Sequence, residues 1–491
     1  MSAAPIQIQL ALVSHTNNGK TTLARTLLGA DVGEVRDAAH VTLSSDAHPL
    51  LTTPAGDALL LWDTPGFGDS VRLLKRLGMA DNPIGWFLRE VLDRYSDRPF
   101  WLSQQALRTA RDAADVVLYL VNSAEHPGDA GYLTAEMNIL QWLGKPVMVL
   151  LNQTGAPRPA SEEQAELVRW RRHLETFPIV RKVLALDAFA RCWVHERVFY
   201  EAVGQWIEPD KAAVYARLLA TWDASHDARF QASMLLAAQQ LRAAAQDRQA
   251  VEPESRSLLN SALKATGLRK TVKLKREDQA MGILVERLND SIAATTRELL
   301  TLHQIDPGEA TRINQRVREN FAVRAPIDKA QAGLLGAVLS GAATGLSADL
   351  MAGGLTMGAG ALLGSVVGAL GFAGAAWGFN SSTDREQTTV QFTEEFMRTL
   401  LVASVLRYLT VAHFGRGRGH FAQSEAPAFW QTEVERAVAT EEAAVTRLWQ
   451  TLRQPASPAD TSSKAAQALL LRINSSVLRQ LYPDAALPHR A

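Results

Sequence analysis

The chain has 491 residues, 47% of them apolar, and its 51 Lys+Arg balance 51 Asp+Glu. A disordered chain would be poorer in apolar residues, and a uniformly basic nucleic-acid binder would not be neutral, so a nucleic-acid partner is not expected. A single cysteine rules out a disulfide framework or a Cys-based zinc cluster and fits a reducing compartment. In chain order, residues 1–13, M-S-A-A-P-I-Q-I-Q-L-A-L-V, put no basic segment ahead of their apolar run. They read as a first strand rather than a signal peptide, with the cytoplasm as the expected location. Residues 5–207 alternate short β-branched or Leu-rich runs with amphipathic stretches, the pattern of βαβ units. This predicts an α/β domain over 1–207. Residues 208–328 and 384–491 are rich in Ala, Leu, Arg, Gln and Glu and predict two helical regions, with a polar linker near 454–463. Between them, residues 329–383 form a glycine-rich apolar segment.

Residues 6–13 alternate at first and end apolar, then S-H-T-N-N-G-K-T-T follows at 14–22, and L-A-R-T-L-L-G-A reads as a helix. Strand, loop and helix in this order are the setting a phosphate-binding Walker A loop requires. The backbone N–H groups of Asn17, Asn18, Gly19 and Thr22 and the helix N-terminus would cradle phosphates. Lys20 would pair with them as a point charge, the Thr21 hydroxyl would ligate Mg²⁺, and Gly19 would let the backbone approach closely. Ser14 stands where the motif has its first glycine. A second signal is L-L-L-W-D-T-P-G, residues 59–66. Asp63, at a strand end, would hold Mg²⁺ through water, and the Gly66 amide would contact the γ-phosphate and report its loss. A third is P-V-M-V-L-L-N-Q-T-G, residues 146–155, where a buried strand leads into Asn152. Gln153 and Gly155 stand where N-K-x-D has Lys and Asp. Losing that aspartate removes the main source of guanine specificity, which leaves the base preference open. Asp187, after a last strand-like run at 180–186, is a weaker candidate for the base.

With these motifs in this order, residues 5–207 resemble the Era/TrmE-like branch of P-loop GTPases of the TRAFAC class. They look in particular like a bacterial group in which this domain precedes a C-terminal domain of unknown function. The resemblance implies a P-loop NTPase fold, a mostly parallel sheet flanked by helices, that binds and slowly hydrolyses GTP with Mg²⁺. It implies Asn17 as a K⁺ ligand in place of an arginine finger. It also implies a hydrophobic residue where Ras-like proteins have a catalytic glutamine, and Phe67 fits. Catalysis would then rest on Lys20, Asn17, the Gly66 amide and the metal ions, with a nucleotide-dependent dimer as one route to the rest. Thr42, within A-A-H-V-T-L, is the candidate switch threonine that would close over Mg²⁺.

Residues 69–115 are longer than a minimal domain of this kind needs and include Trp86, Phe87, Phe100 and Trp101. They could form a nucleotide-dependent contact surface or pack on the next helical domain. In residues 330–383 the only charge is Asp349, and thirteen of the 32 glycines fall between 333 and 378. Each side of Asp349 is long enough to cross a hydrocarbon core of about 30 Å at about 1.5 Å per residue. The small-x-x-x-small spacing would let two helices approach closely. The expectation is a helical hairpin entering a membrane from the cytoplasmic face of the inner membrane, with lipid or a membrane protein as partner. A hairpin buried in a soluble domain would show the same spacing. Lys264, Arg269, Lys270, Lys273, Lys275 and Arg276 form a basic cluster, read as a solvated helix face or a contact for anionic lipid or nucleic acid. Three functions follow: a nucleotide switch coupled to a membrane-associated helical C-terminal region, a soluble regulator of ribosome or RNA assembly, and a nucleotide-binding scaffold with little turnover.

Overall fold

The computed structural model describes residues 4–29, 46–67, 69–77, 107, 109–154, 158, 160–186, 192–251, 269–305, 308, 310, 313, 377–380, 389–413, 429–454 and 459–483. Thr42, Gly155, Asp187, the aromatics at 86, 87, 100 and 101, and residues 330–376 lie outside them. The described residues divide into two compact units. One is drawn from 1–228, 412–427 and 478–490, the other from 229–411 and 428–477.

The first unit is built on a six-stranded sheet. Its strands are β1 (Gln7–Ser14), β2 (Asp46–Thr52), β3 (Ala58–Asp63), β4 (Val116–Asn122), β5 (Val147–Asn152) and β6 (Val180–Ala185). Their order is β2-β3-β1-β4-β5-β6. All neighbours are parallel except the edge strand β2, which runs antiparallel to β3. The sequence reading of a mostly parallel α/β sheet thus holds. Strands β4 and β5 are apolar along their length because helices cover both faces of a parallel sheet. The helices are α1 (Lys20–Leu28), α2 (Ser70–Leu77), α3 (Leu133–Leu143), α4 (Ala160–Leu174) and α5 (Trp193–Gly204). Val117, Tyr119, Val149, Leu151, Met137, Leu140 and Trp170 share one buried cluster with Phe67.

This topology decides where chemistry can occur. Parallel strands place all their C-terminal ends on one edge, and connecting loops open a crevice there. Ser14, Asp63, Asn122 and Asn152 are the last residues of β1, β3, β4 and β5, so they meet on that edge.

The opposite edge is closed by the start of α6 (Pro209–Gln246). Lys211 Nζ donates to Asp115 Oδ1 at 2.6 Å, and Asp115 Oδ2 accepts the Gln9 amide at 2.8 Å. Arg217 donates to Asp57 Oδ2 at 2.8 Å, and Asp57 Oδ1 accepts the Ile6 amide at 3.1 Å. Each carboxylate therefore joins a strand start to the helix. The end of α5 meets α6 closely, since a Cβ on Gly204 would lie 2.9 Å from the Tyr215 ring, whose hydroxyl donates to the Tyr200 carbonyl at 2.7 Å.

The second unit contains the rest of α6, then β7 (Arg248–Ala250), α7 (Arg269–Leu302), β8 (Trp377–Asn380), β9 (Thr389–Phe392), α8 (Glu394–Ala412), α9 (Phe429–Thr440), α10 (Glu442–Leu452) and α11 (Ala459–Leu481). The far half of α6 is surrounded by helices. Phe230 packs against Tyr408 of α8 with ring centres 5.5 Å apart, and Gln240 accepts from Ser404 of α8 at 3.4 Å. Gln467 of α11 donates to the Gln231 carbonyl at 2.9 Å, and Ser233 bonds His303 at 3.2 Å.

Two expectations need correction. The C-terminal region is not all helical, because β7, β9 and β8 form a three-stranded antiparallel sheet. The strand T-V-Q-F shows why it escaped notice. Its alternation is real, with Val390 and Phe392 buried, but it lasts only 4 residues, too short to stand out from flanking helical sequence. The helical reading of 329–383 also fails at its end, where residues 377–380 form β8 paired with β9. Among the described residues, no helix is long and apolar enough to cross a membrane.

The edge closed by α6 makes a testable prediction. The Asp57 carboxyl is held below its ordinary value, first by the hydrogen bond from Arg217 and then by that from the Ile6 amide. A carboxyl lowered in this way stabilises the fold above the unfolded carboxylate value of about 3.9, and the contribution is lost as pH falls through that value toward the folded one. In thermal melts from about pH 7 to about pH 3, wild type is expected to lose more of its melting temperature than Asp57→Asn. Equal losses would reject the role of this carboxylate.

Candidate functional site

The loop after β1 folds around its own sequence. Asn17 has φ 66° and Gly19 φ 84°, both left-handed. Asn tolerates that region through its short polar side chain, and Gly enters it without a steric penalty. Left-handed turns of this kind can converge successive backbone N–H groups on one concavity. α1 then begins at Lys20, with no acidic residue in its first turn and no side-chain cap, so its first amides lack intrahelical partners. An anion suits such an end.

Lys20 points inward and is only 8% exposed. Its Nζ donates to Ser14 Oγ at 3.0 Å. Burial lowers its pKa, while the charges of Asp63 and Glu136 oppose that shift. Ser14 thus takes a positive part at the position where a glycine was expected, as the acceptor that holds the lysine. Gly66 packs against the same ammonium, since a Cβ there would lie 2.9 Å from Lys20 Nζ and 3.2 Å from Thr16. The D-T-P-G loop is tied to β1 by Thr64 Oγ1, which donates to the Leu12 carbonyl at 2.7 Å, and by the Phe67 amide, which donates to the Ser14 carbonyl at 2.9 Å. Phe67 itself is fully buried in the sheet's core, so it presents no polar group to a water molecule.

Thr21 Oγ1 donates to Asp63 Oδ2 at 2.7 Å. A hydroxyl and a carboxylate are hard oxygen donors, the type Mg²⁺ takes together with phosphate oxygens and water. These two residues fit that ion. Thr22, also buried, lies on the inner face of α1, and its carbonyl accepts from Thr26.

The third motif is close by. Asn152 Nδ2 donates to the Asn18 carbonyl at 2.9 Å, and Asn18 Nδ2 donates to the Leu120 carbonyl at 3.2 Å. Asn152 therefore braces the phosphate loop. Gln153 has φ 59°, and its amide reaches the same place, 3.6 Å from where a Cβ on Gly19 would be. The structure brings Ser14, Asn17, Asn18, Gly19, Lys20, Thr21, Thr22, Asp63, Gly66, Asn152 and Gln153 to the same sheet edge. Thr42 lies outside the described residues.

Sequence reasoning passed over a polar group behind the loop. His15 Nδ1 lies 2.8 Å from Glu136 Oε1. Glu136 was legible as an acid on the apolar face of α3, between Leu133 and Leu140.

Gly19 supplies the sharpest test of the site. A Cβ there would lie 2.6 Å from Asn152 Nδ2, and the left-handed backbone would cost a further 1–2 kcal/mol, roughly. Gly19→Ala is expected to weaken nucleotide binding at least about tenfold in fluorescent-nucleotide titration. Unchanged affinity would remove the loop from the site.

Two family models match this chain. Residues 9–153 match the family described as 50S ribosome-binding GTPase. Era from Aquifex aeolicus, solved as a variant with GDP·AlF4⁻, is 19% identical over 41% of this chain and 57% of its own, with a TM-score of 0.31. Era solved with MgGDPNP and nucleotides 1506–1542 of 16S ribosomal RNA is 20% identical over 42% of this chain and 58% of its own, with a TM-score of 0.30. A probable GTP-binding protein, EngB, is 15% identical over 36% of this chain and 88% of its own, with a TM-score of 0.23. This chain therefore spans less than two thirds of the Era chains it matches. No curated protein sequence matches. Residues 176–474 match the family described as domain of unknown function DUF3482, more than half of the chain. The protein belongs to the DUF3482 family, and its N-terminal unit is a P-loop GTPase domain.

Proposed function

We propose that the chain is a GTP-driven molecular switch of the Era/TrmE-like kind, whose N-terminal domain responds to the γ-phosphate and whose helical C-terminal region delivers the response. The observation that carries this reading is the packing of Gly66 against the buried Lys20 ammonium. A phosphate oxygen entering beside Lys20 must meet the Gly66 backbone, so the D-T-P-G loop is placed to register whether the γ-phosphate is there.

The residues divide the work. Lys20 exchanges its Ser14 acceptor for phosphate oxygens, which relieves the cost of burying an ammonium. The loop amides and the start of α1 hold the phosphate chain in line. Thr21 and Asp63 are the Mg²⁺ ligands in this reading, with Thr42 as the residue that closes over them. When bound, Mg²⁺ neutralises charge on the β- and γ-phosphate oxygens. Phe67 cannot orient water, so charge stabilisation has to come from elsewhere. Asn17, at the fourth loop position, is the K⁺ ligand in this reading, and a second subunit would complete the site. Asn152 and Gln153 lie toward the base, and GTP is the preferred substrate despite the missing aspartate.

Turnover in K⁺ and in Na⁺, each with GTP or ATP in competition, tests the reading directly. The expected result is GTP-selective hydrolysis, faster in K⁺ by about tenfold, the lower part of the range for charge-stabilising groups. Equal rates in the two salts would remove Asn17 from the mechanism, and ATP competing as well as GTP would overturn the base assignment.

In the C-terminal region the helices are observed, while the domain bounds and the hairpin come from sequence. They are a helical domain at 208–328, an apolar hairpin at 329–383 shortened by β8, and a helical region at 384–491. Membrane coupling rests on the composition of residues 330–376 alone. Flotation with anionic liposomes decides it, since failure to co-float in any nucleotide state ends that branch of the proposal. RNA that co-purifies with the protein would favour the ribosome-assembly reading instead.

A further inference from the structure

The phosphate loop is fastened from behind by its own second residue. Ser14 accepts from Lys20 and in turn donates its hydroxyl to the His15 carbonyl. His15 pairs with Phe67 as a short parallel bridge, and the Phe67 amide donates to the Ser14 carbonyl at 2.9 Å. The backbone of His15 therefore lies where the phosphate loop meets D-T-P-G, one hydrogen bond from the hydroxyl that holds Lys20. Its side chain leaves the loop toward α3. Nδ1 lies 2.8 Å from Glu136 Oε1. The ring stacks on Tyr132, with ring centres 4.1 Å apart and planes within 13°.

Those partners are themselves held. Glu136 is fully buried, and its Oε2 accepts the Tyr119 hydroxyl at 2.6 Å. Tyr119 stands on β4 opposite Val13 of β1, just before the loop begins. The Tyr132 hydroxyl donates to Glu125, beyond the end of β4, at 3.0 Å. One imidazole thus ties the loop to a strand and to a helix. A buried acid is a poor filler for such a place, because an apolar side chain avoids the cost of taking charge out of water. Burial indeed pushes the Glu136 carboxyl above its ordinary value. What a carboxyl offers in return is direction. It takes hydrogen bonds on two oxygens at once, one toward the sheet and one toward the loop, and so sets the orientation of the His15 ring.

We propose that His15 is a positioning residue for the nucleotide phosphates, with Glu136 fixing its imidazole and its backbone fixing, through Ser14, the place of the Lys20 ammonium. The proposal rests on the loop at 14–22 being the nucleotide site. His15 acts there without touching nucleotide. When its bond to Glu136 is lost, binding must bear the cost of ordering the loop. The loss falls on GDP as well as GTP, because the loop meets phosphates that both carry.

Titration of the full chain with fluorescent GDP and Mg²⁺, below the melting temperature of each variant, tests this. His15→Phe keeps an aromatic ring against Tyr132 and loses the bond to Glu136. It is expected to weaken GDP by about tenfold, the share of one hydrogen bond to a charged group. His15→Asn makes the opposite exchange, since its amide can stand where Nδ1 stood while the stack is lost. It is expected to bind at least about threefold more tightly than His15→Phe. Asp57→Asn, on the opposite edge of the sheet, lowers the melting temperature at about pH 7 and is expected to leave GDP affinity unchanged, which separates lost stability from lost loop geometry. If Lys20→Ala binds GDP as wild type does, the loop is not the site, and the proposal falls with that reading. If Lys20→Ala abolishes binding while His15→Phe stays within about twofold of wild type, the proposal alone is overturned. It is overturned likewise if His15→Asn is as weak as His15→Phe, or if Asp57→Asn weakens GDP as much.

Discussion

One buried ammonium organises the nucleotide edge of this protein. Lys20 sits at the start of α1 with almost no exposure, and an ammonium out of water needs acceptors or anions around it. Ser14 supplies one acceptor, while Asp63 and Glu136 supply negative charge nearby. Gly66 lies close beside it, since a Cβ there would come 2.9 Å from Nζ and 3.2 Å from Thr16. In the proposed reading, phosphate oxygens would add acceptors to this ammonium. Such an addition is what a binding site requires, since burial that was already fully compensated would leave phosphate nothing to gain.

The sheet makes the arrangement inevitable once its topology is set. β1 lies between β3 and β4, and every parallel strand delivers its last residue to the same edge. Four residues from separate parts of the chain, at 14, 63, 122 and 152, arrive together for that reason. The opposite edge is sealed by α6 through Asp57 and Asp115, each joining a backbone amide to a cation of the helix. One end of the sheet is therefore pinned and the other carries loops. Loops on a pinned scaffold are where local movement costs least.

The second unit follows a different logic. Its helices bury aromatic and aliphatic faces around the far half of α6, with hydrogen bonds between helices such as that from Gln467 to the Gln231 carbonyl. The three short strands join segments far apart in the chain, at 248–250, 377–380 and 389–392. Their pairing closes long loops, and such contacts leave little trace in any local stretch of sequence.

The class of the first domain and most of its candidate site are legible in local sequence. Alternation at 6–13, the G-K-T-T run and D-T-P-G are local signals, and each is set by what a strand end, a left-handed turn or a helix start will accept. Asn152 was legible for the same reason, as the polar end of an apolar strand. The tertiary structure decided what no local pattern encodes. It made Ser14, an apparent defect in the motif, the acceptor for Lys20. It turned Asn152 into a brace for the phosphate loop. It brought His15 and Tyr119 onto Glu136, and only packing can assign partners to an acid on an apolar helix face. It also replaced the end of an expected helical hairpin with the strand at 377–380, because a four-residue strand is stabilised by its neighbours across the sheet rather than by its own sequence.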